Sequence, residues 1–273
     1  MLVSSLTNVG MVRKNNEDSC LVFPPWNGKA IKKQLCAFAI ADGMGGESSG
    51  EVASQLAVAG IKNWLIKYNS DEIQISDVEE MYNTVNSEIW DYSQKHSETQ
   101  GMGTTLTFLL IKNNKAIVGH IGDSRLYRLR DNKLEQITSD HSLVAEQVKK
   151  GLLTPEQARV HPTRHILSRV MGARQFIKPD VFFIDIKVND EFVMFSDGIY
   201  GMIEPADLNK IICENEVNSL PQKLIEAANK AGGKDNETVI ALKLKTFPVK
   251  YPGVLSIKRL SEHLKHRGMA GLI

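Results

Sequence analysis

Apolar positions along this chain recur in two rhythms. Val52, Leu56, Ile61 and Leu65 keep a spacing near 3.6 within Ser49 to Tyr68, and Met81, Val85, Ile89 and Tyr92 do the same within Val78 to His96. That spacing predicts two amphipathic helices covering a sheet. Shorter helices are predicted over Ser142 to Lys150, Pro155 to Val160, Pro205 to Asn215 and Pro221 to Lys230, the last ended by Gly232-Gly233. Between them lie short apolar runs joined by Asn/Asp turns, which tolerate positive φ. Thr104 to Ile111 and Lys115 to Ile121 flank Asn113-Asn114, and Arg125 to Arg130 and Lys133 to Ile137 flank Asp131-Asn132. A third hairpin is expected between Val181 to Ile186 and Glu191 to Ser196, turning at Asn189-Asp190. Consecutive antiparallel pairs, rather than βαβ alternation, predict an α+β fold.

Four aspartates stand at the ends of strand-like runs. Asp42 follows 35–41, Asp123 follows 116–122, Asp197 follows 191–196, and Asp235 precedes 238–244. They are placed to meet at one edge of the sheet structure, where their repulsion requires something positive. Oxygen donors without a His/Cys set suit Mg²⁺ or Mn²⁺ better than Zn²⁺. Two ions about 3.5–4 Å apart would use so many carboxylates, lowering the pKa of a bridging water and clamping an oxyanion for in-line attack.

Gly43 and Gly198 each follow one of these acids, and glycine lets the backbone turn and present a carbonyl. For any single Asp-Gly pair taken alone a purely structural turn is the better reading. The glycines of 42–46 precede the Ser49 helix, whose N-terminus adds a favourable field for an anion. Arg13 precedes Glu17-Asp18; its guanidinium fork matches phosphate oxygens, while the two acids can accept hydrogen bonds from metal-bound waters. The plainer alternative is an exposed Arg13 paired with Glu17.

Composition changes this picture little. The 273 residues, 42% apolar and 24% charged, suit one large domain, and a net charge of +1 gives no global attraction to nucleic acid or membrane. No run approaches the roughly 20 apolar residues of a membrane span. The N-terminus lacks a basic segment followed by a long apolar stretch, so a cytoplasmic protein is expected. Cys20, Cys36 and Cys213 are expected to be small buried hydrophobes rather than disulfide or zinc partners.

Read in order, 13–18 (Arg-Lys-Asn-Asn-Glu-Asp), 42–46 (Asp-Gly-Met-Gly-Gly), 101–105, 122–125 (Gly-Asp-Ser-Arg), 138–141 (Thr-Ser-Asp-His), 196–198 and Asp235-Asn236 resemble the metal-dependent protein phosphatases of the PPM, or PP2C-like, type. Met44, the stretch 151–159 and the stretch 164–172 look like bacterial members. The resemblance covers residues 1 to about 244 and implies a four-layer α/β/β/α sandwich of two antiparallel sheets flanked by helices. It implies hydrolysis of phosphoserine or phosphothreonine by direct attack of a water bridging two Mn²⁺ or Mg²⁺ ions. By similarity, Asp42 bridges the ions, Gly43 lends a carbonyl, Asp197 and Asp235 hold the second ion, and Asp123 with Asp197 holds a third. Glu17 and Asp18 act through waters, Arg13 binds the phosphate, and 143–179 forms a mobile flap.

Where eukaryotic relatives carry a proton-donating histidine this chain has Met44, leaving a metal-bound water or His165 as candidate donors. His120, within an apolar strand, reads as a core histidine, and His141 as a support for the neighbouring turn. Thr104 and Thr105 have no adjacent base and read as hydrogen-bonding supports rather than nucleophiles. The substrates implied are phosphoproteins, made by a serine/threonine kinase, and the expected state is a monomer. Two alternatives are a catalytically weak binding or regulatory module of the same fold and a metal-dependent phosphoesterase acting on small molecules. The first is expected where Asp42, Asp197 or Asp235 is replaced, and none is. No basic, aromatic-lined surface favours nucleic acid. Residues 245–273 read as an extension, with a short amphipathic helix over 256–267 that docks on the domain or binds a partner or membrane surface.

Overall fold

Alternation along the strands buries both of their faces. In the last strand Ile240 and Leu242 point one way and Val239 and Ala241 the other, and all are out of solvent. A sheet buried on both sides must lie between two other layers, and that arrangement governs the molecule. The computed structural model describes residues 1–25, 35–45 and 49–245.

In chain order the elements are β1 (Leu2–Asn8), β2 (Asp18–Phe23), β3 (Leu35–Met44), α1 (Ser49–Lys67), α2 (Ile75–Lys95), β4 (Gly103–Thr104), β5 (Leu106–Lys112), β6 (Lys115–Ile121), β7 (Arg125–Arg130) and β8 (Lys133–Gln136). They continue with α3 (Leu143–Lys149), α4 (Pro155–Val160), β9 (Asp180–Ile184), β10 (Glu191–Phe195), α5 (Asp197–Tyr200), α6 (Pro205–Glu214), α7 (Leu220–Lys230) and β11 (Glu237–Lys243). One sheet has the order β1-β11-β10-β7-β8 and the other β2-β3-β5-β6-β9, with β4 paired to β3. Every described pairing is antiparallel.

Three apolar clusters fill the spaces between layers. Phe38, Ile40, Leu109 and Val118 of one sheet pack against Phe192, Met194, Ile240 and Leu242 of the other. Ala37, Ala39, Phe108 and Leu110 face Ala53, Ala57, Ile61, Met81 and Ile89 of α1 and α2. Val193, Phe195, Val239 and Ala241 face Leu208, Ile212, Leu224 and Ala228 of α6 and α7. The four-layer sandwich follows from these three interfaces.

Several expectations need correction. The stretches 181–186 and 191–196 do not form a hairpin: β9 pairs with β6, whereas β10 pairs with β7 and β11 in the other sheet. The turn between them carries the chain from one sheet to the other. Buried Asp190 holds that corner, accepting from the Lys187 N–H at 2.7 Å and from the Arg130 Nε and Nη2, each at 2.7 Å. The other two turns are hairpins, with positive φ at Asn113, Asp131 and Asn132.

The strand β1 carries no clear pattern in the sequence, because Ser and Thr dilute its alternation; seven residues of pairing with β11 create it. The expected strand 104–111 is broken at Thr105, whose N–H turns to the Asp42 carbonyl. The second helix starts earlier than expected, at Ile75, where the Asp77 carboxylate accepts from the Gln74 N–H. Cys213 is exposed on α6, unlike buried Cys36, because its neighbour Ile212 takes the inward position. The expected helix at 256–267 lies outside the described residues. No helix among the described residues is long and apolar enough to cross a membrane.

Gly119 in β6 lies under the ring of Tyr82, whose hydroxyl donates to the Leu106 carbonyl at 3.1 Å. A Cβ there would stand 2.4 Å from the ring. Gly119→Ala should therefore cost about 1–3 kcal/mol, the usual penalty for overfilling a packed interior. Urea unfolding would measure it, and an unchanged midpoint would show that the ring shifts freely.

Candidate active site

Sheet register sets Asp18 directly across from Asp42, on β2 and β3. From the other sheet come Asp197, which opens α5 after β10, and Asp235, just ahead of β11. Asp123 sits where the chain leaves β6 in one sheet for β7 in the other. The acids thus gather at one mouth of the sandwich, contributed by both sheets.

Their mutual effect is large because water is largely excluded. Burial raises the pKa of Asp42 well above the usual carboxylate range, and Asp18, Asp197, Asp123 and Asp235 raise it further. Burial raises Asp18 to about 6 against hydrogen bonds from Ser196 and Thr238. Asp197 rises to about 7 through burial and then Asp235 and Asp18, opposed by a hydrogen bond with Asp42. Asp123 rises to about 8 through burial, Asp197 and Asp140, opposed by Tyr200. Glu17 is raised mainly by burial, with Arg13 opposing.

These residues suit a hard divalent cation by donor type and charge. Among the described residues no three His, Cys, Asp or Glu side chains already close around one point as a ligand cage. Yet the Asp18 Oδ1 is buried with no hydrogen-bond partner, and Asp42 and Asp197 are in hydrogen-bonding contact. Oxygen donors so mutually repelling gain from a cation of Mg²⁺ or Mn²⁺ type.

The N-terminal loop forms the rim. Arg13 donates to the Asp235 Oδ2 at 2.7 Å, not to Glu17, which reaches it only through charge. The Glu17 carboxylate takes the Gly50 N–H at the start of α1, so the anion favoured by that helix end is Glu17 itself. Close backbone approach fixes the glycines. A Cβ on Gly43 would lie 2.0 Å from the Gly50 carbonyl oxygen, and one on Gly198 would lie 2.1 Å from that of Asn236.

Supporting residues without an assigned role in the sequence reading hold this arrangement. Asn236 donates from Nδ2 to the carbonyls of Val9 and Asn15, at 3.0 and 2.9 Å, and accepts the Glu17 N–H at 2.8 Å. Ser196 donates to the Asp18 Oδ2 at 2.7 Å, joining the two sheets. Tyr200 donates to the Asp123 Oδ2 at 3.0 Å, and Arg125 pairs with Asp140 at 2.8 Å. The available signals were adjacency for Asn236 and Ser196, and for Tyr200 a spacing of three residues from Asp197 on one helical turn.

The histidines separate. His120 is buried beside the Thr107 hydroxyl, with its pKa lowered to about 3 by burial, as suits a core residue. His141 accepts the Gly122 N–H and contacts Asp180 at 3.0 Å, bracing the turn beside Asp123. His165 is exposed; desolvation lowers its pKa most, Arg164 and Arg13 add to that, and Asp235 opposes them. Thr105 Oγ1 accepts the Asp42 N–H at 3.0 Å, and Thr104 donates to the Asp42 carbonyl at 3.0 Å, so both hydroxyls are supports. Met44, at the end of β3, is 39% exposed, and Gly46 lies outside the described residues.

Comparison with known proteins points one way. The family model described as Protein phosphatase 2C matches residues 13–232. Protein phosphatase PhpP of Streptococcus pneumoniae is 35% identical over 244 residues, covering 88% of this chain and 96% of the relative. The Mycobacterium tuberculosis serine/threonine phosphatase PstP/Ppp has a similar structure, with a TM-score of 0.80 and 32% identity, covering 90% of this chain and 99% of that one. The catalytic domain of serine threonine protein phosphatase PstP in complex with two manganese ions gives a TM-score of 0.76 at 32% identity, covering 88% and 96%.

Each raised carboxyl keeps its proton in the folded chain at pH values where the unfolded chain, near 3.8, has released it. The folded state is then favoured at low pH and loses that advantage as pH rises through about 6, 7 and 8 for Asp18, Asp197 and Asp123. In chelator, urea unfolding should show stability falling between about pH 4 and 8, with Mn²⁺ opposing the fall. Asp123→Asn should flatten the upper part of that slope. A metal-free stability that rises over this range would contradict the mutual repulsion.

Proposed function

Because this chain belongs to the protein phosphatase 2C family and is a metal-dependent serine/threonine phosphatase, we propose that it hydrolyses phosphoserine and phosphothreonine monoesters at the mouth where its carboxylates gather. The observation carrying the assignment of residues is that half-buried Asp42 feels the charges of Asp18, Asp197, Asp123 and Asp235 together, with Arg13 at the rim.

In this reading Asp42, the Gly43 carbonyl, Asp197 and Asp235 would hold two Mn²⁺ or Mg²⁺ ions, and Asp123 with Asp197 a third. Glu17 and Asp18 would accept hydrogen bonds from water around them. When bound, the ions supply Lewis-acid charge, which lowers the pKa of water and neutralises the phosphate. Arg13 exchanges its carboxylate partner for phosphate oxygens, which its planar fork can grip in two parallel bonds. Asn236 and Ser196 keep the rim and the two sheets in register, so the phosphorus and the attacking water meet at a fixed distance. Desolvation and then Arg164 lower the pKa of His165, making it a poorer store of a proton, which favours water as the proton source for the leaving oxygen.

The partners follow from this chemistry. They are phosphoproteins made by a serine/threonine kinase, met in the cytoplasm, with 143–179 as the flap beside the site. Arg159 ties that segment to the carbonyls of Tyr200 and Ile203 at 3.0 and 2.9 Å, close to α5.

Hydrolysis of phosphoserine and phosphothreonine peptides should require Mn²⁺ or Mg²⁺ and stop in chelator. Asp42→Asn should lower kcat by about a thousandfold or more, since each several kcal/mol of charge stabilisation is worth that much. Metal-independent turnover, or full activity in that variant, would sink the assignment. Arg13→Ala should chiefly raise KM, and a variant with unchanged KM and kcat would remove Arg13 from the phosphate site.

A further inference from the structure

Tyr200 is the fourth residue of α5, so it shares a helical face with Asp197, the first. Its hydroxyl donates to the Oδ2 of Asp123 at 3.0 Å, across from the β6–β7 corner. Asp123 is only 6% exposed, so this bond selects which carboxylate oxygen is left for another partner. The Tyr200 ring is itself held: the Arg125 guanidinium lies 3.6 Å from its centroid. That is within the range of a cation–π contact.

Arg125 is in turn fixed by Asp140. Its Nε and Nη2 donate to the two carboxylate oxygens at 3.1, 3.2 and 2.8 Å, and Gln136 donates to the same carboxylate at 3.0 Å. A chain of contacts therefore runs from Asp140 through Arg125 and the Tyr200 ring to the Asp123 carboxylate.

We propose that Tyr200 is a positioning residue for Asp123, setting its carboxylate for the third, weaker ion while leaving the two core ions to Asp42, Asp197 and Asp235. This rests on the three-ion reading of the site above. The hydroxyl stays neutral and remains a donor, since burial and the acids around it push its pKa well above 10. Groups that hold a metal ligand in place typically change metal affinity 10–100-fold when removed.

Tyr200→Phe tests this directly, because it keeps the ring over Arg125 and deletes only the hydroxyl. Bound Mn²⁺ is counted by electron paramagnetic resonance on the full chain, alongside the Mn²⁺ dependence of phosphopeptide turnover. The expected result is three ions in the unmodified protein and, in Tyr200→Phe, a third-ion dissociation constant about tenfold higher with the first two unchanged. Turnover should then need correspondingly more Mn²⁺ but reach a similar kcat at saturation. A purely structural tyrosine would weaken all ions together or lower the melting temperature alone, and either outcome overturns the proposal. Unchanged third-ion affinity overturns the role of Tyr200 while leaving the three-ion reading intact. An unmodified protein that binds only two ions overturns that reading and this inference with it.

Discussion

Repulsion among buried carboxylates is the constraint around which this protein is organised. Asp18 and Asp123 are buried and Asp42 and Asp197 half-buried beside them, so water screens them poorly and each holds its proton more tightly for it. Such a cluster costs stability unless a cation neutralises it, so the fold must hold the acids together against their own charge. The sandwich supplies that force. Three apolar interfaces fix both sheets, and the sheets fix the strand ends that carry the acids.

Because the acids come from both sheets, the site depends on the registration of one sheet against the other. Ser196 and Asn236 provide it with short polar links: the first reaches Asp18 across the sandwich, the second ties the rim loop to the start of β11. Close packing at Gly43, Gly50 and Gly198 brings backbones within a distance that no side chain would permit. Rigidity of this kind is what attack on a phosphate requires, since water, phosphorus and charge must align within a fraction of an ångström.

Much of the fold was legible in the chain. Helical spacing located α1 closely, and the Asn/Asp turns located both true hairpins, because these signals act within a few residues of one another. For the same reason the aspartates and the glycine after Asp42 marked the strand ends that the sheets bring together. Less visible was β1, whose pattern is diluted by hydroxyl residues and whose existence depends on β11, more than two hundred residues away. The turn at 189–190 looked like a hairpin because local chemistry says only that the chain turns, not into which sheet it goes.

The sequence by itself determined the acids, their spacing from the strands, the two rhythms of the elements and the family resemblance. Tertiary structure alone decided partnership. Register set Asp18 opposite Asp42, the corner at 122–123 brought Asp123 under Tyr200, and the loop before β2 set Arg13 on Asp235 rather than Glu17. The division has a physical cause. Propensity and turn chemistry act over a few bonds, whereas hydrogen bonds and charges between residues far apart in the chain exist only after the sheets have closed upon each other.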